Sequence, residues 1–153
     1  MIRSSRLIMP RSPTKATCSA PKRTLSFCTA SRKVGGSPAE AIAEYQRALE
    51  LRPNQPEALT DLAWLLATCR QAPLRNGGKA LELAQLANAQ TGGNSPMALH
   101  SLAAAFAETG QFDEAKQTIQ KAMTQARTGG QNDLVERFGG ELKRYEAGLP
   151  VRE

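Results

Sequence analysis

The chain has 153 residues, enough for one modest domain with a terminal extension. Hydrophobic residues make up 41 % and charged residues 22 %, as in globular proteins, but aromatic residues make up only 5 %. A core built mainly from Leu and Ala favours packed helices over a β-sandwich, whose strands prefer β-branched and aromatic residues. No apolar run approaches the length of about 18 residues that a membrane-spanning helix needs, so none is predicted.

The net charge of +6 is concentrated at the N-terminus. Residues 1–35, the leader, hold eight basic residues and no acidic one, whereas residues 36–153 hold 12 basic and 14 acidic residues. The leader is rich in Ser and Thr and is broken by prolines, which predicts disorder. Its composition is also typical of an organellar targeting segment, and without that role we expect a cytoplasmic protein.

The charge distribution bears on nucleic-acid binding. Because residues 36–153 are slightly acidic, we do not expect them to bind nucleic acid. RNA binding by the leader is a separate hypothesis, which predicts a steep salt dependence that disappears when residues 1–35 are deleted.

Residues that carry catalysis or hold metals are sparse. Cys18, Cys28 and Cys69 form no C-x-x-C pair, and His100 is the only histidine. This pattern excludes a disulfide framework and the usual zinc sites. No phosphate-binding loop or nucleophile-elbow motif occurs either. We therefore expect no enzymatic activity, no metal ion and no cofactor.

Helical patterns fill the first half of the domain. Residues 38–52 are predicted as a helix, and Pro56 begins the next one, at a position where proline costs no hydrogen bond. Residues 70–78, which include Pro73 and a Gly-Gly pair, are predicted as a loop. A helix containing Ala80 follows this loop.

The second half continues in the same way. Pro96 begins a helix that Gly110 ends, because glycine readily adopts the positive φ found just after helices. A further helix follows Gly110, and residues 132–147 form the last one. The pair Gly139-Gly140 weakens this last helix, since each glycine costs about 1 kcal/mol relative to alanine.

Two pairs of stretches repeat. Residues 56–63 and 96–103 share the pattern Pro-x-Ala-Leu-x-x-Leu-Ala, and residues 36–48 and 110–122 place Gly, Ala, a large apolar residue and Ala at the same offsets. These units resemble the tetratricopeptide repeat, which has small residues where its two helices cross. The residues that match these small positions are Ala41, Ala48, Ala63, Ala80, Ala87, Ala103, Ala115 and Ala122.

The resemblance implies an all-α solenoid over residues 36–153. Its units are expected at about 36–55, 56–95 and 96–129, with residues 132–147 as a capping helix. The first unit lacks its first helix, because the basic leader stands in its place. We therefore expect an exposed apolar edge with Ile42, Tyr45 and Leu49, and either self-association through it or marginal stability.

The resemblance also implies a concave groove lined by the first helix of each unit. The groove positions are Glu57, Thr60, Trp64, Ala67 and Thr68 in the second unit and Met97, His100, Ala104, Ala107 and Glu108 in the third. Trp64 is expected either to anchor a partner there or to pack on a neighbouring element, and His100 to be exposed. Because these positions hold no cluster of cations, we expect no preference for acidic peptides.

These features together predict a non-catalytic module that binds a protein or peptide in a groove of mixed polarity. An alternative rests on a further likeness. The segment around Trp64 and the ending after Tyr145 look like the C-terminal repeats of long bacterial tetratricopeptide proteins. Some of those tails follow a glycosyltransferase-like region, so the chain could be an auxiliary or regulatory fragment of a larger protein.

The alignment makes a prediction about Ala103. Replacing it in Ala103→Leu should overpack the helix crossing and lower the free energy of unfolding by about 1–3 kcal/mol. Thermal melting of the variant and the wild type checks this, and an unchanged melting midpoint would contradict the alignment.

Overall fold

The computed structural model describes residues 37–153; the predicted leader 1–35, with Cys18 and Cys28, lies outside these residues. The described part is all-α, as predicted, and contains no strand. Its α-helices are α1 (Pro38–Leu51), α2 (Pro56–Thr68), α3 (Gly77–Gln90), α4 (Pro96–Glu108), α5 (Phe112–Thr128) and α6 (Asn132–Glu146). A short 3₁₀ helix, Ala72–Leu74, lies between α2 and α3.

The helices begin where the sequence supplies caps. Ser37 and Glu40 form a capping box at the start of α1, each side chain accepting a hydrogen bond from the other's backbone N–H. The side chains of Asn76 and Ser95 each accept one hydrogen bond from a backbone N–H in the first turn of α3 and α4, respectively. Proline occupies the first position of α1, α2 and α4, as predicted for the latter two from Pro56 and Pro96.

The boundary of the predicted 70–78 loop differs in the structure. Gly77 and Gly78 are the first two residues of α3, not loop residues. The side chain of Asn76 accepts a hydrogen bond from the Lys79 backbone N–H at 3.0 Å, and this cap satisfies the first turn despite the two glycines. The loop between α2 and α3 therefore consists of residues 69–76. Within it, the Arg75 guanidinium donates hydrogen bonds to the carbonyl oxygens of Cys69 and Arg70.

The helices pack as a solenoid. Each helix contacts the next one along the chain, and α2 also packs on α4, the first helix of the following pair. Seven of the eight predicted crossing alanines are buried, and Ala48 is half-buried. Small side chains at these positions allow the helix axes to approach closely.

The predicted exposed edge of α1 is not exposed. Ile42 is buried in the main hydrophobic cluster, and Tyr45 and Leu49 pack against that cluster. The Tyr45 hydroxyl donates a hydrogen bond of 3.0 Å to Asp61 of α2, which ties the two helices together. Burial raises the pKa of the Asp61 carboxyl, and the Tyr45 hydrogen bond partly opposes this shift. The apolar stripe of α1 is therefore already used within the chain.

Among residues 37–153, none of the helices combines the length and the apolar character that crossing a bilayer requires.

Gly110, in the turn after α4, and Gly140, inside α6, should respond oppositely to alanine. Gly110 has φ +82°, so Gly110→Ala forces a strained backbone and should lower the free energy of unfolding by about 1 kcal/mol. Gly140 lies inside α6, and an added Cβ there meets no atom within 4 Å. Gly140→Ala should therefore raise the free energy of unfolding by about 0.5–1 kcal/mol.

Urea denaturation of both variants and the wild type measures these changes. Equal destabilisation by the two substitutions would contradict the backbone conformations described above.

Candidate binding groove

The predicted groove positions lie together on α2 and α4, but most of them are buried. Trp64 is 4 % exposed and His100 only 1 % exposed. The other buried positions are Thr60, Ala67, Thr68, Ala104 and Ala107. Met97 and Glu108 are half-buried, and Glu57 is exposed. Part of the chain itself must therefore cover the face that the groove positions form.

An aromatic stack crosses this face. The ring of His100 lies between those of Trp64 and Phe138, with centroid distances of 4.1 Å and 4.6 Å and interplanar angles of 27° and 25°. Because Phe138 belongs to α6, the stack joins the last helix to α2 and α4. Offset aromatic contacts of this kind stabilise beyond the area that they bury.

A buried polar pair accompanies the stack. His100 Nε2 lies 2.6 Å from Glu141 Oε2, and Arg137 Nε lies 3.4 Å from the other oxygen of the same carboxylate. An ionised carboxylate only accepts hydrogen bonds, so the imidazole donates through Nε2–H. Glu141 thus pairs with one nitrogen of the buried imidazole, whereas Nδ1 makes no hydrogen bond among the described residues. The helix α6 is held against α4 by polar as well as apolar contacts.

Residues 149–153, here called the closing segment, return over the end of α2. Gly148, with φ +67°, reverses the chain after α6. The Glu153 N–H then donates to the Thr68 carbonyl oxygen at 2.9 Å, and the Arg70 N–H donates to the Glu153 carbonyl oxygen at 3.1 Å. Val151 is buried in the main hydrophobic cluster. The closing segment therefore lies on the repeats as a short extended peptide.

Charged side chains of the closing segment meet charged side chains of the groove. Arg152 is 2.6 Å from Glu108 Oε2, whose other oxygen accepts a hydrogen bond from Arg75 at 3.2 Å. The Glu153 carboxylate accepts hydrogen bonds of 3.2 Å from Trp64 Nε1 and from Arg137. The Arg137 guanidinium also lies 5.6 Å from the centre of the Trp64 ring, within the range of a cation–π contact.

Comparison of the sequence with protein-family models finds two matches. One tetratricopeptide repeat model matches residues 44–91, and a second matches residues 98–128. The chain belongs to the tetratricopeptide repeat family. None of the curated proteins that were compared with it matches. Tetratricopeptide repeats are generally protein-interaction modules and are typically non-catalytic.

The tetratricopeptide groove differs from the sequence prediction in two respects. The expectation that His100 is exposed was wrong, because α6 covers it. Of the two alternatives for Trp64, packing on neighbouring elements is the one observed. The predicted groove positions hold no cation, but Arg137 of α6 lies beside them and pairs with the Glu153 carboxylate. The expectation of no preference for acidic peptides stays a prediction.

Sequence reasoning missed Arg137, Glu141 and the closing segment as parts of this surface. A signal for the first two exists: they are four residues apart, a spacing that places an Arg and a Glu side by side on a helix. The closing segment carries a weaker signal, a single Val151 between Pro150 and two charged residues. No periodicity could assign so short a stretch to a position on the repeats.

One buried hydroxyl remains without a partner among the described residues. Tyr145 of α6 is fully buried, and its hydroxyl makes no hydrogen bond there. Burial raises the pKa of this phenol, and the charge of Glu141 adds to the shift.

Within residues 37–153, no three His, Cys, Asp or Glu side chains are grouped so that they could share a metal ion.

The contacts of Glu141 predict a large effect of its removal. Glu141→Ala removes the acceptor that His100 and Arg137 share, and leaving a buried donor without its acceptor costs about 1–3 kcal/mol. Glu136→Ala, at an exposed position of the same helix, is the matched control and should change stability by less than about 0.5 kcal/mol. Chemical denaturation of both variants measures the difference, and equal stability of the two would contradict the role given to Glu141.

Proposed function

We propose that this tetratricopeptide domain binds an extended segment of a partner protein on the concave face formed by α2 and α4. One observation carries the proposal: an extended segment, residues 149–153, already lies on this face. It is held there by backbone hydrogen bonds to Thr68 and Arg70, by a buried apolar side chain and by two charged side chains. A surface that accepts one such segment has the contacts needed to accept another.

The chemistry of this face suits recognition and not catalysis. Its polar groups, among them Glu108 and Arg137, are paired with one another or with the closing segment. Trp64, an aromatic residue with a polar edge, donates its indole N–H to Glu153 of the closing segment. Tryptophan and arginine are residue types that contribute strongly to binding at protein interfaces.

Three further proposals come from the sequence. Self-association through α1 stays a prediction, and light scattering on the full chain tests it. The role as the C-terminal part of a larger, glycosyltransferase-like protein and the cytoplasmic location also stay predictions.

Selection of peptides from a random display library, with the full chain as target, tests the proposed function. Selected peptides should bind about tenfold more weakly to Arg137→Ala, which removes a cation of the concave face. They should bind equally well to the control Lys121→Ala, which removes an exposed cation from α5. Selected peptides that lose affinity only for Lys121→Ala, or a selection that enriches none, would contradict binding on the concave face.

A further inference from the structure

The closing segment displays a definite order of side-chain chemistry. Val151 is buried in the main cluster, Arg152 pairs with Glu108, and Glu153 accepts hydrogen bonds from Trp64 and Arg137. Each of the three positions faces a group of complementary chemistry on the repeats or α6. The groove therefore discriminates between positions: it takes an apolar side chain, then a cation, then a carboxylate.

The charges of the groove are complementary to a basic residue followed by an acidic one, and not to the opposite order. Glu108 supplies the only carboxylate that contacts Arg152 in the described structure, and it lies at the end of α4. Arg137 and the indole N–H of Trp64 supply the donors at the other position. A segment with an acidic residue before the basic one would place like charges together at both positions, which is unfavourable.

The charged side chains of the closing segment remain partly exposed to solvent in their contacts with the groove. Arg152 is 31 % exposed and Glu153 is 42 % exposed in their side chains, and Leu149 is 54 % exposed. Ion pairs at such exposure contribute little to stability, typically less than about 1 kcal/mol each. The two ion pairs therefore add little to the attachment of the closing segment, which also depends on the buried Val151 and on two backbone hydrogen bonds. A partner segment that makes the same contacts can replace residues 149–153.

The short link to α6 favours occupation of the groove by the chain's own segment. Glu146 ends α6, and the closing segment starts three residues later, beyond the reversal at Gly148. A short connection of this kind gives the segment an effective concentration of about 1 mM at the groove. A second copy of the chain would have to reach that concentration to exchange its segment.

We propose that the groove recognises partner segments with the order apolar residue, arginine, acidic residue, and that residues 149–153 are a built-in competitor for them. This inference rests on the proposed function, because it names the class of segment that the same face binds. The competitor makes binding conditional: a partner must exceed the effective concentration of the closing segment or present better contacts.

The probe for this inference is the pentapeptide Leu-Pro-Val-Arg-Glu, acetylated and amidated so that only its side chains and backbone are tested. It is titrated into the full chain and into an opened variant that combines Val151→Asp, Arg152→Ala and Glu153→Ala. Leu149→Ala is the matched control, since this side chain is exposed and belongs to the same segment. Trp64 is the only tryptophan, so its emission reports on the groove directly.

We expect opening to shift the Trp64 emission to longer wavelength and the peptide to reverse the shift. The peptide should bind the opened variant about tenfold more tightly than it binds the wild type or Leu149→Ala. This factor is the ratio of the effective concentration of the closing segment, about 1 mM, to an assumed dissociation constant of about 100 μM for the peptide and the opened groove. Replacing the arginine or the glutamate of the peptide by alanine should weaken binding to the opened variant severalfold.

Three outcomes would overturn the inference. The first is an opened groove that binds peptides from the display selection but not the probe; the proposed function would then survive without the named segment class. The second is equal affinity of the probe for the wild type and the opened variant, which would mean that residues 149–153 do not compete with the probe. The third is a wild-type dimer that Arg152→Ala dissociates, since the segment would then be exchanged between copies.

If folding of the opened variant is lost, Arg152→Ala alone replaces it. This substitution changes one partly exposed side chain. The probe should still bind it more tightly than it binds the wild type, and an unchanged affinity overturns the inference.

Discussion

The contacts of the buried His100 join α6 to α2 and α4, and they cover the predicted groove positions on those two helices. Its ring is enclosed by Trp64 and Phe138, and its Nε2 donates to Glu141. The second ring nitrogen, Nδ1, makes no hydrogen bond among the described residues, so the Glu141 contact is the polar interaction that this buried ring has there. Because Phe138 and Glu141 both belong to α6, these contacts hold α6 against α4, and Arg137 lies beside Trp64. The closing segment follows, since Arg137 and Trp64 are the groups that hold Glu153.

The helices themselves could be predicted from the sequence, because their determinants are local. Pro56 and Pro96 begin helices, Gly110 ends one with positive φ, and the alanines of the repeat pattern are buried at the crossings. The start of α3 could not be placed as well, because the Gly-Gly pair at 77–78 has a low helix propensity and only the cap from Asn76 overrides it.

The coverage of the groove depends on contacts between residues far apart in sequence. His100 and Glu141 are separated by 41 residues, and Trp64 and Glu153 by 89. Side-chain periodicity identifies the groove positions of α2 and α4 but not which later segment lies on them. The groove positions do not include Arg137 of α6, which pairs with the Glu153 carboxylate beside Trp64. The solenoid could therefore be predicted from the sequence, whereas the packing of α6 and the closing segment on α2 and α4 could not.

The central claim is that the closing segment lies on Trp64, and the indole proton of Trp64 tests it most directly. The chain has one tryptophan, so a nitrogen–proton correlation spectrum contains one indole signal from it. A hydrogen bond to the Glu153 carboxylate should slow the exchange of this proton with water and move its resonance when Glu153→Ala removes the acceptor. An indole signal that exchanges rapidly in the wild type and does not move in Glu153→Ala would contradict the account.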